Sequence, residues 1–527
     1  MYDLLIKGGT IIDGTGTPGF TGDVLVDEGK IVAVGRLSTA AKRIIQADGL
    51  VVAPGFIDAH SHSDLKLFAD PLAREKILQG ITTEVLGQDG LGVAPVSEAA
   101  GELGSFVRPL LGTLDRWGWR TVGEYLDALQ RARPAVNACV HVPHGTIRMA
   151  VMGLGDKKAT DDDLSAMASL IRQGMDEGAI GLSTGIVYAP AAFSDRRELV
   201  ALCRAAAEKD GVFTIHMRSE AAGVVENVEE TIAIGQEAGV RVHISHHKVS
   251  GMTNWGKSKE TLSLMSMGRA QGQEITCDLY PYTAGCTMLR TLLPPWSLEG
   301  GVGGILHNLA DPSGRARIKE DLQRGLPGWE STARAVGWEN IVVTNVGPYQ
   351  GQELEGLSLA HIAALMAKDP IDALMDLLLI EKGQPSMITF QQDEEDMNRI
   401  MRYPHSVFCT DGIIIAGRPH PRLYGSFPRV LGHYVRERGL LSLEEAIRKM
   451  TSLPARILGF SDIGRIRVGA VADITIFDPD RIIDRATYDH PRQHPEGIKW
   501  VLVGGQVVVE EGEHTGRRPG RVLRKGR

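Results

Sequence analysis

The chain has 527 residues, 43% of them hydrophobic, enough for a large buried core and for more than one structural unit, although an α/β barrel absorbs several hundred residues. Its 57 basic and 65 acidic side chains leave a net charge of −8 without a long basic run, which argues against nucleic acid or an anionic membrane and favours a small-molecule partner. Five scattered cysteines with no C-x-x-C pair, no export-signal pattern and no apolar run of membrane-spanning length point away from disulfide scaffolds, zinc fingers and membrane spans, and towards a reducing cytoplasm.

In chain order, "YDLLIKGGTIID" and "GDVLVDEGKIVAVG" read as short strands separated by Gly-rich turns. "LVVAPGFIDAH" then opens a series of apolar strand-like runs: "ITTEVLG" (81–87), "NACVHVPHG" (137–145), "AIGLSTG" (179–185), "VFTIHMRSE" (212–220), "RVHISHHK" (241–248), "EITCDLYPY" (274–282) and "SVFCTDG" (406–412). Helix-like stretches such as "ELVALCRAAAEKDG" precede most of them. Eight such units predict a TIM-like (β/α)8 barrel over residues 54–460, with reacting groups at the C-terminal rim. Residues 285–389 are too many for one connection and predict an inserted subdomain, containing "LLPPWSLEGGVGGIL", beside or over that rim. "GRIRVGAVADITIFDP" and "GIKWVLVGGQVVVEEGE" return to β-branched runs broken by Gly, so residues 1–53 and 461–527 are expected to meet in one small β-sandwich. The basic tail "RRPGRVLRKGR" reads as a frayed, solvated terminus.

His60 and His62 stand one residue apart at the end of a strand-like run, where side chains at i and i+2 share a face. Converging imidazoles chelate metals, although an H-x-H pair alone is a weak signal. What strengthens it is that His216, His246 and Asp411 stand at the ends of three other expected strands, which a barrel gathers around one centre. Each of the three also fits a structural role, as a hydrogen-bonded core imidazole or a turn aspartate. Together they specify a divalent metal, zinc by the nitrogen-rich donor set, as one or two ions.

"PGFIDAHSHSD", "HMRSE" (216–220), "ISHHK" (244–248), "CTDG" (409–412) and "HPRLYGSFPRVLG" (420–432) resemble the amidohydrolase superfamily, in its D-aminoacylase (N-acyl-D-amino-acid deacylase) branch, and the similarity spans nearly the whole chain. The resemblance implies a metal-bearing barrel with a sandwich from both chain ends, His60 and His62 as ligands of one metal position, His216 and His246 of the other, and Asp411 as the catalytic aspartate. It also implies that Lys248, Tyr280 and Arg422 hold the substrate's α-carboxylate. Two departures stand out. The family's usual Gly-Asn-Cys-Gly turn is "GQDG" here, so Asp89 replaces a thiolate ligand, and its harder oxygen donors open the site to manganese, iron or cobalt. Cys286 stands where the family's Tyr-Pro-Tyr-x-Ala-Gly-Ser stretch carries a hydroxyl, a stronger donor than a thiol. Tyr188, and the pair Arg218 and Glu220, are further pocket candidates, whereas His144 reads as a bystander.

The expected activity is hydrolysis of the linear amide of an N-acyl-D-amino acid to a carboxylate and a free D-amino acid. The alternatives are hydrolysis of a cyclic amide of the hydantoin or dihydropyrimidine type or of another specialised amide, or a non-catalytic scaffold on the same fold. The expected partner is a small molecule with a carboxylate. Homo-oligomer formation stays open.

Overall fold

In the computed structural model, which describes residues 1–96 and 100–526, eight parallel strand segments form a closed ring. They are Phe56–Asp58, Ile81–Leu86, Asn137–Val140 continuing as Val142–Pro143, Gly181–Gly185, Val212–His216, Arg241–Ile244, Ile275–Leu279 and Ser406–Phe408. The last segment meets the first through Ala59 N to Phe408 O at 3.5 Å, Thr410 N to the Asp58 carboxylate at 2.7 Å and Asp411 N to His60 O at 2.9 Å. Several helices between strands begin on capping side chains, as where Thr160 and Asp163 form a capping box before Asp161–Asp176, and lay an apolar stripe on the barrel's outside. This is the expected (β/α)8 architecture.

The run "LVVAPGFIDAH" is not one strand. Val51–Pro54 pairs antiparallel with Ile474–Phe477 in the terminal sheet, and the barrel strand starts afresh at Phe56. Gly55 makes the switch, since a Cβ there would overlap the Thr82 side chain. Both chain ends contribute to that terminal sheet, whose nine strands fold over a core of Leu4, Ile6, Val24, Val26, Ile474, Ile476 and Leu502. The basic tail departs from its expected frayed state. Ala138 N donates to Arg521 O at 3.0 Å and Leu523 N to Ala138 O at 2.8 Å, while Arg524 and Lys525 pair with Asp127 and Asp210. Its charges answer acidic groups on one barrel helix and on the turn after another, and its backbone adds to a barrel strand, which composition alone does not reveal.

Between Ala284 and Phe390 the chain leaves the ring and forms a three-stranded antiparallel sheet, Ala284–Met288, Ser386–Phe390 and Ile341–Thr344, with helices that include Gly301–Ala310 and Pro312–Arg324. Residues of this insertion cover the C-terminal mouth of the barrel and wall the cavity there. Among the described residues no helix is long and apolar enough to cross a membrane, and all five cysteines are free and buried.

Candidate metal centre and active site

After the first barrel strand the chain bends at Ala59 and His60, and Ser61 pairs with Gly412 across the ring closure. The His60 and His62 rings converge on the same group of side chains, with ring centroids 5.1 Å apart. His216 closes its strand, whereas His246 and Asp411 lie beyond theirs in turns. Asp89, His246 and Asp411 all have left-handed backbone, with φ of 57°, 33° and 46°. For such side chains this conformation costs about 1–3 kcal/mol each and persists where the surroundings hold it. They do so here: Asp278 Oδ1 accepts from His246 N at 2.7 Å, and Gly185 lacks the Cβ that would overlap the Asp89 carbonyl.

The six groups converge. His60, His62, Asp89 and Asp411 each bring a donor atom within 4.8 Å of the others, and so do Asp89, His216 and His246. Asp89 belongs to both groups: its Oδ1 lies 3.5 Å from His60 Nε2, 3.7 Å from His216 Nδ1 and 3.5 Å from His246 Nε2, and its Oδ2 lies 3.6 Å from His62 Nε2. Both ring nitrogens of His60, Nδ1 of His62 and of His216, and Oδ1 of Asp89 are buried with no hydrogen-bond partner among the described residues. Buried polar atoms are otherwise nearly always paired. Imidazole nitrogens and carboxylate oxygens left unpaired around a common point fit one or two divalent ions of the zinc, manganese, iron or cobalt type.

Asp411 presents one oxygen to this centre and one away from it. Oδ1 lies 3.2 Å from His62 Nε2, and Oδ2 pairs with Arg422 Nη1 at 2.8 Å. Burial alone would raise the Asp411 carboxyl, but Arg422 and the His62 hydrogen bond outweigh it and hold it below the usual range, ionised at neutral pH.

A cavity of about 160 Å³ opens above the centre. Lys248, Tyr280, Arg422, Cys286 and Tyr188 all line it. Arg422 lies over the Tyr280 ring at 4.4 Å and donates from Nη2 to Cys286 O at 3.0 Å, while its buried Nε has no partner among the described residues. Lys248 Nζ is held by Glu220 Oε1 at 2.5 Å and touches His246 Nδ1 at 2.8 Å. The Tyr280 hydroxyl accepts from Gln392 Nε2 at 3.2 Å, and that of Tyr188 meets Thr287 Oγ1 at 3.0 Å. Burial pushes the Cys286 thiol up to about 11, so it stands as a neutral thiol in the wall. His144 is elsewhere, bonded to Thr184 and Glu198 at 2.8 Å each.

Sequence reasoning missed two supports. Asp278 bonds His243 Nε2 at 2.8 Å and places its charge 3.8 Å from His60 Nδ1, behind a candidate ligand. The signal existed, because Asp278 shares strand parity with Tyr280. The second is a fully buried lysine. Lys76 Nζ donates to Asp58 Oδ2 at 2.7 Å, Ser61 Oγ at 2.9 Å and Thr410 Oγ1 at 2.7 Å, tying the segment with His60 and His62 to the one with Asp411. Glu84 completes the knot 3.4 Å away. Removing one partner of such a buried pair leaves uncompensated charge, so Lys76→Met is expected to lower stability by about 3–5 kcal/mol in chemical denaturation. An unchanged denaturation midpoint would contradict this assignment.

The chain matches the amidohydrolase family over residues 43–290 and 316–509. It is 39% identical to a D-aminoacylase of Alcaligenes xylosoxydans xylosoxydans, covering 99% of this chain and 97% of that one. To an N-acyl-D-glutamate deacylase of the same organism it is 36% identical, covering 99% and 96%. In structure it superposes with a TM-score of 0.84 on the N-acyl-D-glutamate deacylase of Bordetella bronchiseptica, solved with zinc and a phosphonate mimic of the tetrahedral intermediate, at 36% identity and 99% coverage of both chains. The protein belongs to the amidohydrolase family.

Proposed function

We propose that this protein is a metal-dependent amidohydrolase that hydrolyses the amide bond of an N-acyl-D-amino acid, releasing a carboxylate and a free D-amino acid, and that it works in the cytoplasm. In this reading His60, His62, Asp89, His216 and His246 hold the metal. When bound, such an ion supplies a Lewis acid that lowers the pKa of water to ~7 and polarises an amide carbonyl. Oδ1 of Asp411 takes the proton of the attacking water and returns it to the departing nitrogen, which leaves poorly as an anion. Arg422 holds Oδ2, so the proton-carrying oxygen keeps facing the centre. The unpartnered Arg422 Nε, with Lys248 and Tyr280, receives the α-carboxylate beside the centre in the same cavity. The terminal sheet, from residues 1–53 and 461–527, serves as scaffold for the barrel of residues 54–460, and the insertion of 285–389 closes over the substrate.

The observation that carries this reading is the convergence of four imidazoles and two aspartates, several atoms unpaired, below a cation with a spare donor. Lys248, the lysine of the pocket wall, is engaged by Glu220 and is no free bridge for two metals, which disfavours the cyclic-amide alternative. The test is a paired screen of N-acetyl-D- and N-acetyl-L-amino acids with zinc, manganese or cobalt. D-selective release of amine that disappears on chelation and returns on reloading is expected. A metal-loaded protein inactive on every N-acyl amino acid would overturn it.

A further inference from the structure

Of the two further pocket candidates, Arg218 places its terminal nitrogens on the carbonyls of Ala192, at 3.1 Å, and Ser194, at 3.3 Å, whereas Glu220 turns inward and meets two functional groups at once. We infer that Glu220 is a positioning residue that couples the metal centre to the substrate anchor: it fixes which ring nitrogen of His246 faces the metal, and so keeps the Lys248 ammonium available to the substrate's carboxylate. The Lys248 half of this inference rests on the deacylase reading above; the His246 half rests on the geometry of the centre alone.

Glu220 follows His216 by four residues, in the loop after the Val212–His216 strand. Its backbone carbonyl accepts from Ser250 N at 2.7 Å, in the loop after the Arg241–Ile244 strand, and this tie sets the carboxylate behind two candidate ligands. Oε1 stands 3.0 Å from His246 Nδ1 and 2.5 Å from Lys248 Nζ, and Oε2 stands 4.0 Å from His216 Nε2. Lys248 Nζ itself lies 2.8 Å from the same His246 Nδ1. A neutral imidazole carries one proton and an ammonium only donates, so two arrangements compete at this corner. With the proton on Nδ1, His246 donates to Glu220, and its Nε2, 3.5 Å from Asp89 Oδ1, offers a lone pair to a metal. With the proton on Nε2, Lys248 donates to the bare Nδ1, and the N–H facing the metal position cannot ligate. Glu220 favours the first arrangement and Lys248 the second. When Nε2 serves as a ligand, Lys248 loses His246 as an acceptor, and that N–H turns to the cavity which Lys248 lines with Arg422 and Tyr280.

The test reads zinc affinity by competition with a chromogenic chelator, which requires no turnover. Glu220→Gln is expected to weaken zinc binding by about 10- to 100-fold. Glu220→Asp keeps the charge but withdraws it from His246 Nδ1 by one methylene, and is expected to fall close to Gln. An Asp variant that binds zinc like the parent would reduce Glu220 to a source of charge and overturn the positioning role. Lys248→Met removes the competing donor, so zinc is expected to bind several-fold tighter, and Glu220→Gln is expected to matter less in that background than in the parent. Equal or weaker zinc binding in Lys248→Met, or the same loss from Glu220→Gln in both backgrounds, would overturn the inference. For the zinc-saturated enzyme acting on N-acetyl-D-methionine, Glu220→Gln is expected to raise KM by about tenfold with kcat within about threefold of the parent, because Lys248 loses its tether while Asp411 is untouched. An unchanged or lower KM would overturn the Lys248 half. No activity of the parent on any N-acyl amino acid would instead sink the deacylase reading, and the zinc measurements would still decide the role of Glu220 at His246.

Discussion

Asp411→Asn is expected to lower kcat by about 10²- to 10⁴-fold, the usual contribution of a positioned general acid-base, while KM moves by no more than a few-fold. The asymmetry follows from the two faces of this side chain. Asn fills the same volume beside Arg422, where Oδ2 now lies 2.8 Å from Nη1, so the carboxylate-binding corner is expected to keep its shape. The other face, where Oδ1 stands 3.2 Å from His62 Nε2, loses the ability to accept and return a proton. Steady-state kinetics together with elemental analysis of the purified variant check the assignment. Full metal content with the chemical step lost marks Asp411 as the proton carrier. Metal released in proportion to the activity lost would make it a ligand instead, and the proposed division of labour would be wrong.

The second large effect is expected at Asp89. Its carboxylate lies within 3.7 Å of a nitrogen of each of the four candidate ligand histidines. Asp89→Ala leaves those imidazoles with no shared anionic partner, and metal content is expected to fall below one equivalent after dialysis, with activity falling by a similar proportion. Asp89→Cys is the sharper experiment, because it exchanges hard oxygen for soft sulfur in the same turn. The thiolate should move the zinc-to-manganese ratio bound from an equimolar mixture towards zinc by roughly tenfold, read by mass spectrometry of the dialysed protein. An identical ratio in the parent and the Cys variant would mean that residue 89 does not touch the metal.

Much of the architecture was legible because barrels advertise themselves by repetition. Eight apolar runs with helices between them are a one-dimensional signal, and each run appears as a barrel strand segment. His60, His62, His216 and His246 were legible for a related reason: strand ends in a closed ring must converge. Asp278 and Lys76 were not singled out: Asp278 offered only its strand parity with Tyr280, and a lone lysine in a short helix has no pattern of its own. Their positions acquire meaning only when Asp278 is seen against His243 and Lys76 against Asp58, Ser61 and Thr410. The tail was misjudged for a comparable cause. A run of arginines and lysines looks solvated until Asp127 and Asp210, hundreds of residues away, are placed beside it.

What the sequence determines by itself is therefore whatever is periodic or local: alternation that builds strands, caps that start helices, a turn whose central residue is an aspartate. What only the tertiary structure decides is which solitary polar groups share a space, because the energy of a buried charge depends on the partner across the gap rather than on its neighbours in the chain. Arg422 shows both halves. Its place in "HPRLYG" proposes it as a carboxylate binder only through the family resemblance, and the folded ring reveals that the same guanidinium pairs with Asp411 through one nitrogen and keeps another unpaired beside the cavity.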